Sequence, residues 1–314
     1  MNKAIKLVLL IILVLGVVAV VLFLLFGKKP KSVDYSLPLN SFYKDKVSQL
    51  KKPPQKNENY REPNILASSA VLIESDTKYP LYEKNDEGQV PIASITKIMT
   101  AQITLDIYKP DEIVEIKPEY ISVEGSKVGF KPGEKFTVEN LLYGLLVVSG
   151  NDAAEALAGA KVPRAEFIGL MNKKASSLNL KSTYFRDPAG LDDEGHSSAI
   201  DVALLFSNGL QNSLFETVIS TNEKKISASG SDNSYELKNS NRLTTGEIPL
   251  EGNIGGKTGN TPAAGHALVS AATRNGTTLI CVILKTDSDS KSASAEEARK
   301  LLNWGFDSFA FSQN

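Results

Sequence analysis

Apolar and polar positions divide the chain into three stretches of different character. Residues 7–26 form an uninterrupted run without a charged or polar side chain. Twenty helical residues rise about 30 Å, which matches the hydrocarbon thickness of a bilayer. Residues 28–63 are rich in Lys, Pro, Asn and Ser and keep no apolar period, whereas residues 64–314 alternate between strand-like and helix-like patterns. We therefore predict an N-terminal membrane anchor over residues 1–27, a disordered linker over residues 28–63 and a folded domain over residues 64–314.

The apolar run is expected to stay in the mature protein as one transmembrane helix. Cleavable signal peptides carry about 7–15 apolar residues before a small-residue cleavage site. Here the run is longer, and Phe26-Gly27-Lys28-Lys29 follows it. Charge leaves the orientation open, because Lys3, Lys6 and the terminal amine precede the run and three lysines follow it.

Two β-like regions open and close the folded part of the sequence. Near its start, Ser69–Glu74 and Pro80–Lys84 flank a turn at Asp76-Thr77-Lys78. Towards the C-terminus, residues 266–273 and 277–284 are apolar runs joined by Arg274-Asn275-Gly276, and this connection is a hairpin signal.

Helical spacing of apolar residues fills the region between these strands. A helix is predicted to begin near Ser94, and Thr137 is placed to cap another helix that should stop at Ser149-Gly150. Further helices are predicted over residues 151–158, 165–177, 199–210 and 295–306. Because strands come first and last with helices between them, the order predicts an α+β fold with an antiparallel sheet flanked by helices.

Composition excludes several classes of function. The 35 Lys and Arg residues balance 36 Asp and Glu residues, so the net charge of -1 does not suggest binding to nucleic acid. The single cysteine, Cys281, lies in an apolar strand, where it is expected to pack in the core rather than to form a disulfide or act as a nucleophile. Only two histidines occur and no metal-ligand spacing is present, so we expect neither a metal site nor a cofactor.

Three short motifs occur in the order Ser94-x-x-Lys97, Ser149-x-Asn151 and Lys257-Thr258-Gly259. The first two patterns are weak signals on their own. Ser-x-x-Lys also occurs at Ser41, Ser48, Ser75 and Ser288, and Ser-x-Asn also occurs at Ser177, Ser220, Ser231 and Ser312. Sequence context selects Ser94, because only this serine stands at the predicted start of an apolar-periodic helix.

Residues three apart share a helix face, so Ser94 and Lys97 should be neighbours. A serine hydroxyl needs a base to act as a nucleophile, and Lys97 can serve only when it is neutral. Lowering the pKa of a lysine from about 10.4 to about 7 costs about 4.6 kcal/mol. Burial or a second cation such as Lys257 can supply this shift. The alternative is a helix N-cap followed by a solvated lysine.

The other two motifs are also placed to face a cleft. Ser149-Gly150-Asn151 lies at a predicted break between helices, although a helix stop followed by an ordinary N-cap would have the same pattern. Ser231-Asp232-Asn233 is rejected because it lies in a predicted hairpin tip. Lys257-Thr258-Gly259 follows two glycines that permit close backbone approach, and its Lys and Thr suit a substrate carboxylate. The alternative here is a glycine-rich turn entering a strand.

Taken together, the motifs and their flanking residues resemble one known family. The quoted segments are Pro91–Thr100, Leu141–Ala154, Asp187–Leu191, His196–Asp201 and Gly256–Thr261 followed by Ala264-Gly265. Over roughly residues 65–311 the chain resembles the serine D-alanyl-D-alanine carboxypeptidases, the low-molecular-mass penicillin-binding proteins. The resemblance implies a β-lactamase/transpeptidase-like fold.

The resemblance also implies a reaction on peptidoglycan stem peptides. The penultimate D-alanine would acylate Ser94, the terminal D-alanine would leave, and water would release the acyl group. Lys97 would act as the base, while Ser149 and Asn151 would relay protons and hold the substrate amide. β-Lactams would acylate the same serine. Such a substrate implies a single-pass protein of the cell membrane with its catalytic domain outside the cytoplasm.

The third motif would bind the substrate. By the same resemblance, Lys257 and Thr258 would bind the terminal carboxylate. Gly259 and Asn260 would complete the binding strand, and the backbone N–H groups of Ser94 and Asn260 would form the oxyanion hole.

Three other functions remain open at this stage. A D,D-endopeptidase acting on cross-links would use the same residues. A class A-like β-lactamase would need a glutamate for fast deacylation, and Glu166 is read instead as an ordinary first-turn acid of a helix. A non-catalytic wall-binding protein is the third alternative. His266, within a predicted strand, is expected to be structural.

Overall fold

The computed structural model describes residues 53–57, 59–288 and 290–311. Eleven strands are present in this part of the chain: β1 (Gln55–Lys56), β2 (Ser69–Glu74), β3 (Pro80–Lys84), β4 (Ile113–Glu115), β5 (Lys135–Thr137), β6 (Glu223–Ser227), β7 (Ser234–Lys238), β8 (Asn253–Thr261), β9 (Gly265–Arg274), β10 (Thr277–Thr286) and β11 (Phe309–Ala310). Eight α-helices accompany them in the same described residues: α1 (Lys97–Ile107), α2 (Pro118–Ile121), α3 (Val138–Leu146), α4 (Asn151–Gly159), α5 (Arg164–Ser177), α6 (Ala199–Gly209), α7 (Ser213–Ser220) and α8 (Ala293–Ser308).

A five-stranded antiparallel sheet in the order β3-β2-β10-β9-β8 organises the domain. Its central strands are buried on both faces, which explains why β2 and β10 read as continuous apolar runs rather than alternating ones. Alternate residues of β2 enter different cores: Val71 and Ile73 join the larger cluster that includes helical residues of α1, α3 and α4, and Leu72 joins the smaller cluster that includes α8. The predicted α+β class, with an antiparallel sheet and flanking helices, is confirmed.

Several predicted elements are confirmed with close bounds. The strands β2 and β3 have the predicted ends, and β9 and β10 form the predicted hairpin. Thr137 caps α3, since its hydroxyl accepts a hydrogen bond from Asn140 N at 3.1 Å. The helix α7 was not predicted, because only a short apolar stripe marks it: Phe215, Val218 and Ile219 are its buried residues.

The helix predicted near Ser94 begins differently. Residues Ala93–Thr96 form a 3-10 turn, and the α-helix starts only at Lys97. Ala93 has a left-handed φ of 47°, which prevents a regular helix from starting before it. In a 3-10 turn, side chains at positions i and i+3 eclipse, so the turn places Ser94 and Lys97 on the same side.

The linker predicted over residues 28–63 is wrong at its C-terminal end. Strand β1 pairs with β11, Asn57 N donates to Ser308 O at 2.8 Å, and the Lys56 ammonium lies 5.7 Å from the centroid of the Trp304 ring. These contacts join distant parts of the chain, so no local apolar period signals them.

The anchor predicted over residues 1–27 lies outside the described residues. Within the described part, no helix combines the length and apolar character needed to cross a bilayer.

Candidate active site

Lys97 and Ser94 lie in direct contact at the start of α1. Lys97 Nζ donates to Ser94 Oγ at 2.8 Å, to Asn151 Oδ1 at 2.7 Å and to Ala189 O at 2.8 Å. The side chain of Lys97 is 0% exposed. An ammonium has three donors, and all three are used. When the amine is neutral, Asn151 and Ala189 can keep the two remaining hydrogens, and the lone pair then faces the Ser94 hydroxyl.

Burial makes Lys97 a base near neutral pH. Desolvation lowers the pKa of Lys97 to about 7, while the negative charges of Asp187, Asp152 and Glu155 oppose this shift. The role of a general base for Lys97 requires a pKa near this value, and burial is one of the two sources predicted for the shift. An amine with this pKa is neutral in a large fraction of molecules at pH 7, so it can accept the proton of Ser94.

The Ser149-x-Asn151 motif joins α3 to α4, as predicted. Asn151 does not cap the helix, since Gly150 occupies the N-cap position. The amide of Asn151 is directed instead to Lys97 through Oδ1, and its Nδ2 donates to Glu124 O at 2.6 Å. The ordinary helix-cap alternative is therefore wrong for Asn151.

Ser149 has a left-handed φ of 63°, and its hydroxyl accepts a hydrogen bond from Lys257 Nζ at 3.0 Å. A non-glycine residue in this conformation carries strain, and such strain is concentrated at functional sites. The contact joins the second and third motifs. Two separate sets of contacts thus connect the three motifs: Ser94 with Lys97 and Asn151, and Ser149 with Lys257. The backbone of residues 149–151 joins the two sets.

Lys257 lies behind the cleft wall rather than in the cleft. It is 1% exposed, and its Nζ also donates to Thr258 O at 2.8 Å. Burial, followed by the charge of Lys97, lowers the pKa of Lys257 well below its ordinary value. The ammonium expected to bind a carboxylate is therefore directed to Ser149. Of the two polar side chains of the third motif, Lys257 and Thr258, only Thr258 lines the cleft.

Strand β8 approaches the turn that carries Ser94 very closely. A Cβ atom on Gly259 would lie 2.8 Å from Ile92 O and 3.3 Å from Ile95 N. Only glycine leaves room for this contact. The glycine of the third motif therefore brings Thr258 and Asn260 beside the nucleophile, so the structure brings all eight predicted site residues together.

A cleft of about 770 Å³ opens over this arrangement, with Ser94, Ser149, Thr258, Gly259 and Asn260 in its wall. Sequence reasoning missed several other lining residues, namely Ser126, Ser240, Ser288, Lys291 and Ser294. Ser240 Oγ lies 2.7 Å from Thr258 Oγ1. The only local signal was the Ser288-x-x-Lys291 match, which was set aside as a nucleophile motif. His266 also lines the cleft, opposite Asn260 on the neighbouring strand, so its position is not that of a core residue.

The residues set aside by sequence reasoning lie elsewhere. Glu166 is exposed in the first turn of α5 and does not line this cleft. Ser231-Asp232-Asn233 lies in the connection between β6 and β7. Cys281 is fully buried in β10, and burial raises the pKa of its thiol. Within the described residues, no cluster of three or more His, Cys, Asp or Glu side chains is arranged to hold a metal ion.

Comparison with known proteins identifies sequences and structures that are similar to this chain. The family model described as D-alanyl-D-alanine carboxypeptidase matches residues 56–288. The chain is 36% identical over 254 residues to D-alanyl-D-alanine carboxypeptidase DacF of Bacillus subtilis, an alignment that covers 79% of this chain and 62% of that protein. It is 34% identical over 263 residues to a D-alanyl-D-alanine carboxypeptidase of Streptomyces sp. strain K15, covering 78% of this chain and 89% of that protein.

Two further comparisons extend this result. The chain is 32% identical over 259 residues to a D-alanyl-D-alanine endopeptidase of Pseudomonas aeruginosa, covering 80% of this chain and 81% of that protein. The crystal structure of the Streptomyces K15 DD-transpeptidase matches with a TM-score of 0.73 and 34% identity, over 79% of this chain and 99% of that one. The chain spans less than two thirds of the Bacillus relative but nearly all of the Streptomyces structure. The chain belongs to the D-alanyl-D-alanine carboxypeptidase family.

Proposed function

We propose that this protein is a serine D,D-carboxypeptidase that removes the terminal D-alanine from peptidoglycan stem peptides through an acyl-enzyme on Ser94. The observation that carries the proposal is the 2.8 Å contact between Ser94 Oγ and the fully buried Lys97 Nζ, whose pKa is lowered to about 7. Family membership supports the choice of substrate.

The proposed reaction assigns one step to each of these side chains. Neutral Lys97 accepts the proton of Ser94 as Oγ attacks the carbonyl carbon of the penultimate D-alanine. The peptide C–N bond breaks, and the proton passes to the leaving amine through the Ser149 hydroxyl, which is linked to Lys257. Water then attacks the ester: Lys97 takes a proton from the water and returns it to Ser94 Oγ as the ester C–O bond breaks. The shortened peptide leaves as a carboxylic acid, which ionises to the carboxylate. The backbone N–H groups of Ser94 and Asn260 bind the oxyanion, which is worth on the order of 3 kcal/mol per donor.

Recognition of the terminal carboxylate needs a charge that faces the cleft, whereas Lys257 is 1% exposed and its Nζ donates to Ser149 Oγ. Among the described residues that line the cleft, Lys291 is the one lysine or arginine. Its ammonium and the hydroxyls of Thr258 and Ser240 form a polar wall suited to a carboxylate. This wall supports a substrate that carries a carboxylate next to the scissile amide.

Mass spectrometry of the full-length protein after reaction with a penicillin tests the nucleophile. The adduct is expected on the peptide that contains Ser94, and Ser94→Ala should remove it. Ser231→Ala is the control, because it removes a serine of a similar short motif that lies in the connection between β6 and β7 and does not line the cleft. An unlabelled wild-type protein would instead support the non-catalytic alternative.

Product analysis separates the remaining activities. A stem pentapeptide should yield free D-alanine, whereas a purified wall digest that yields mainly uncross-linked peptides would support the endopeptidase. The acyl-enzyme formed with penicillin should be long-lived, because Glu166 is exposed outside the cleft and cannot assist deacylation there. Rapid penicillin turnover would support the β-lactamase alternative.

The proposed localisation is the cell membrane, with one transmembrane helix over residues 7–26 and the catalytic domain outside the cytoplasm. Its support is the length of the apolar run, which suits a bilayer, together with the extracytoplasmic position of the proposed substrate. Protease treatment of intact cells should digest the chain beyond Lys31. A protected domain would contradict this localisation.

A further inference from the structure

Two buried carboxylates, those of Asp152 and Asp187, are connected to Lys97 indirectly, through the loops that they hold. Asp187 is 8% exposed and Asp152 is fully buried. In the described structure their oxygens accept hydrogen bonds from backbone N–H groups of two different loops, and each loop contributes to one of the acceptors that surround Lys97 Nζ.

Asp187 folds the loop of residues 187–192. Its Oδ1 accepts from Ala189 N and Gly190 N, both at 2.6 Å, and its Oδ2 accepts from Leu191 N at 3.0 Å and Asp192 N at 2.8 Å. Four N–H groups converging on one carboxylate curl the loop around it. The curl directs the Ala189 carbonyl outwards to Lys97 Nζ at 2.8 Å.

Asp152 holds the loop of residues 124–129. Its Oδ1 accepts from Val128 N at 3.0 Å, and its Oδ2 accepts from Gly129 N at 2.8 Å. This loop in turn presents Glu124 O to Asn151 Nδ2 at 2.6 Å. With its nitrogen bound there, the Asn151 amide can offer only its oxygen to Lys97.

We infer that Asp152 and Asp187 are positioning residues for the acyl transfer proposed above: each carboxylate folds a loop that supplies one hydrogen-bond acceptor for Lys97. A neutral amine bonded to carbon has two N–H groups and one lone pair. When Asn151 Oδ1 and Ala189 O bind the two N–H groups, the lone pair has one remaining direction, towards Ser94. Without these acceptors the amine rotates, and the lone pair faces the hydroxyl for only part of the time.

The same two carboxylates also act through their charge. Both oppose the effect of burial on the pKa of Lys97, as Glu155 does, and the charge of Lys97 in turn contributes to the lowered pKa of Lys257. Removing one carboxylate charge therefore lowers the pKa of Lys97 further. This second effect provides a readout that loosening of the fold does not reproduce.

The test compares Asp152→Asn and Asp187→Asn with Asp201→Asn. Asp201 is a matched control: it is 4% exposed and holds another loop by accepting from Ser182 N at 2.7 Å and Thr183 Oγ1 at 2.8 Å. It is not among the charges that act on Lys97. The second-order rate of acylation by penicillin is measured against pH for the full-length variants, together with their melting temperatures.

Asp152→Asn and Asp187→Asn are each expected to lower the plateau rate by roughly 10- to 100-fold, because a small misplacement of a reacting group has effects of this size. Their acidic limbs should move to lower pH. Asp201→Asn should keep the wild-type plateau and midpoint.

Three results overturn the inference while leaving the proposed function intact. The first is wild-type behaviour of both variants, and the second is an equal loss in all three variants without a change of midpoint. The third is failure of both variants to fold while Asp201→Asn folds, which would make the two carboxylates purely structural. The inference rests on the proposed function, so a wild-type protein that penicillin does not acylate would overturn both.

Discussion

Lys97 Nζ lies 2.8 Å from Ser94 Oγ because a 3-10 turn aligns residues three apart, but the environment that makes the pair reactive comes from distant parts of the chain. Asn151 and Ala189, the other two acceptors of Lys97, follow it by 54 and 92 residues. The pairing is local, whereas the burial that lowers the pKa of Lys97 is a property of the assembled fold. The reactivity of Ser94 therefore depends on tertiary structure.

The rate of acylation by penicillin should rise with pH to a plateau, with a midpoint near pH 7, where the pKa of Lys97 lies. Below the midpoint Lys97 is protonated and cannot accept the proton of Ser94. Above it the amine is neutral and the rate is limited by other steps. Stopped-flow measurement of the second-order rate constant checks this, with melting temperatures at each pH as the control for unfolding. A flat profile around neutral pH would exclude Lys97 as the base.

Lys97→Arg should abolish most acylation, because a guanidinium is not deprotonated in proteins and cannot act as a base. Loss of a general base typically costs about 10²- to 10⁴-fold in rate. Lys78→Arg is the matched control. Lys78 also follows a serine by three residues, is partly buried and donates to Ser75 O and Ser207 Oγ. Equal rates for the two variants, measured with labelled penicillin, would contradict the assignment.

Local pattern was sufficient to predict much of the fold. The strand Ser69–Glu74 contains a continuous apolar run, and a polar turn separates it from the strand Pro80–Lys84. Thr137 is a residue type that prefers the N-cap position of a helix. These features depend on neighbours in sequence. The pairing of β1 with β11 depends on a partner at the other end of the chain, so it left no local signal.

The candidate site could likewise be predicted only where a local sequence motif marks its residues. The motifs that contain Ser94, Ser149 and Lys257 could be identified because their positions in the predicted elements and their flanking segments selected them from other matches. Ser240 and Lys291 could not, since a serine and a lysine in polar loops have no distinctive pattern and reach the cleft only after folding. The buried position of Lys257 is likewise a tertiary result, and it changes the role that the motif implied.

The variants Ser149→Gly and Ser149→Ala should separate the effect of the left-handed backbone on stability from the effect of the hydroxyl on acylation. Both remove the hydroxyl that accepts from Lys257 Nζ, so both should lose acylation to a similar extent. Glycine adopts the φ of 63° without penalty, whereas alanine keeps a strain of about 1–2 kcal/mol. Urea unfolding should therefore show the glycine variant to be more stable than the alanine variant by about 1 kcal/mol. Retained acylation in Ser149→Gly would mean that the hydroxyl is not part of the proton path.

Lys291→Met should weaken binding of peptides that end in a free carboxylate. A charge-assisted hydrogen bond contributes about 1.5–3 kcal/mol, so an increase in KM of about 10- to 150-fold is expected with little change in kcat. The same peptide with an amidated C-terminus should bind wild type and variant alike. Lys285→Met is the control, because Lys285 is exposed on β10 outside the cleft lining. An equal effect on both peptides would assign the carboxylate to another group.

The contact between Gly190 and the turn that carries Ser94 can be tested with Gly246 as the control. The two glycines have similar backbone conformations but different surroundings. Their φ angles are 78° and 77°. A Cβ atom on Gly190 would lie 1.9 Å from Ala93 O, whereas one on Gly246 would meet nothing within 4 Å. Gly246→Ala should therefore show only the conformational cost of about 1–2 kcal/mol.

Gly190→Ala should lose the same conformational free energy as Gly246→Ala. It should lose further stability because the new Cβ atom displaces the Ala93–Thr96 turn. Since that turn carries Ser94, its movement should also lower the acylation rate, whereas Gly246→Ala should react as wild type does. Urea unfolding and penicillin labelling measure the two effects on the same samples. Equal destabilisation with equal labelling would mean that close contact between Gly190 and Ala93 O does not fix the position of the nucleophile turn.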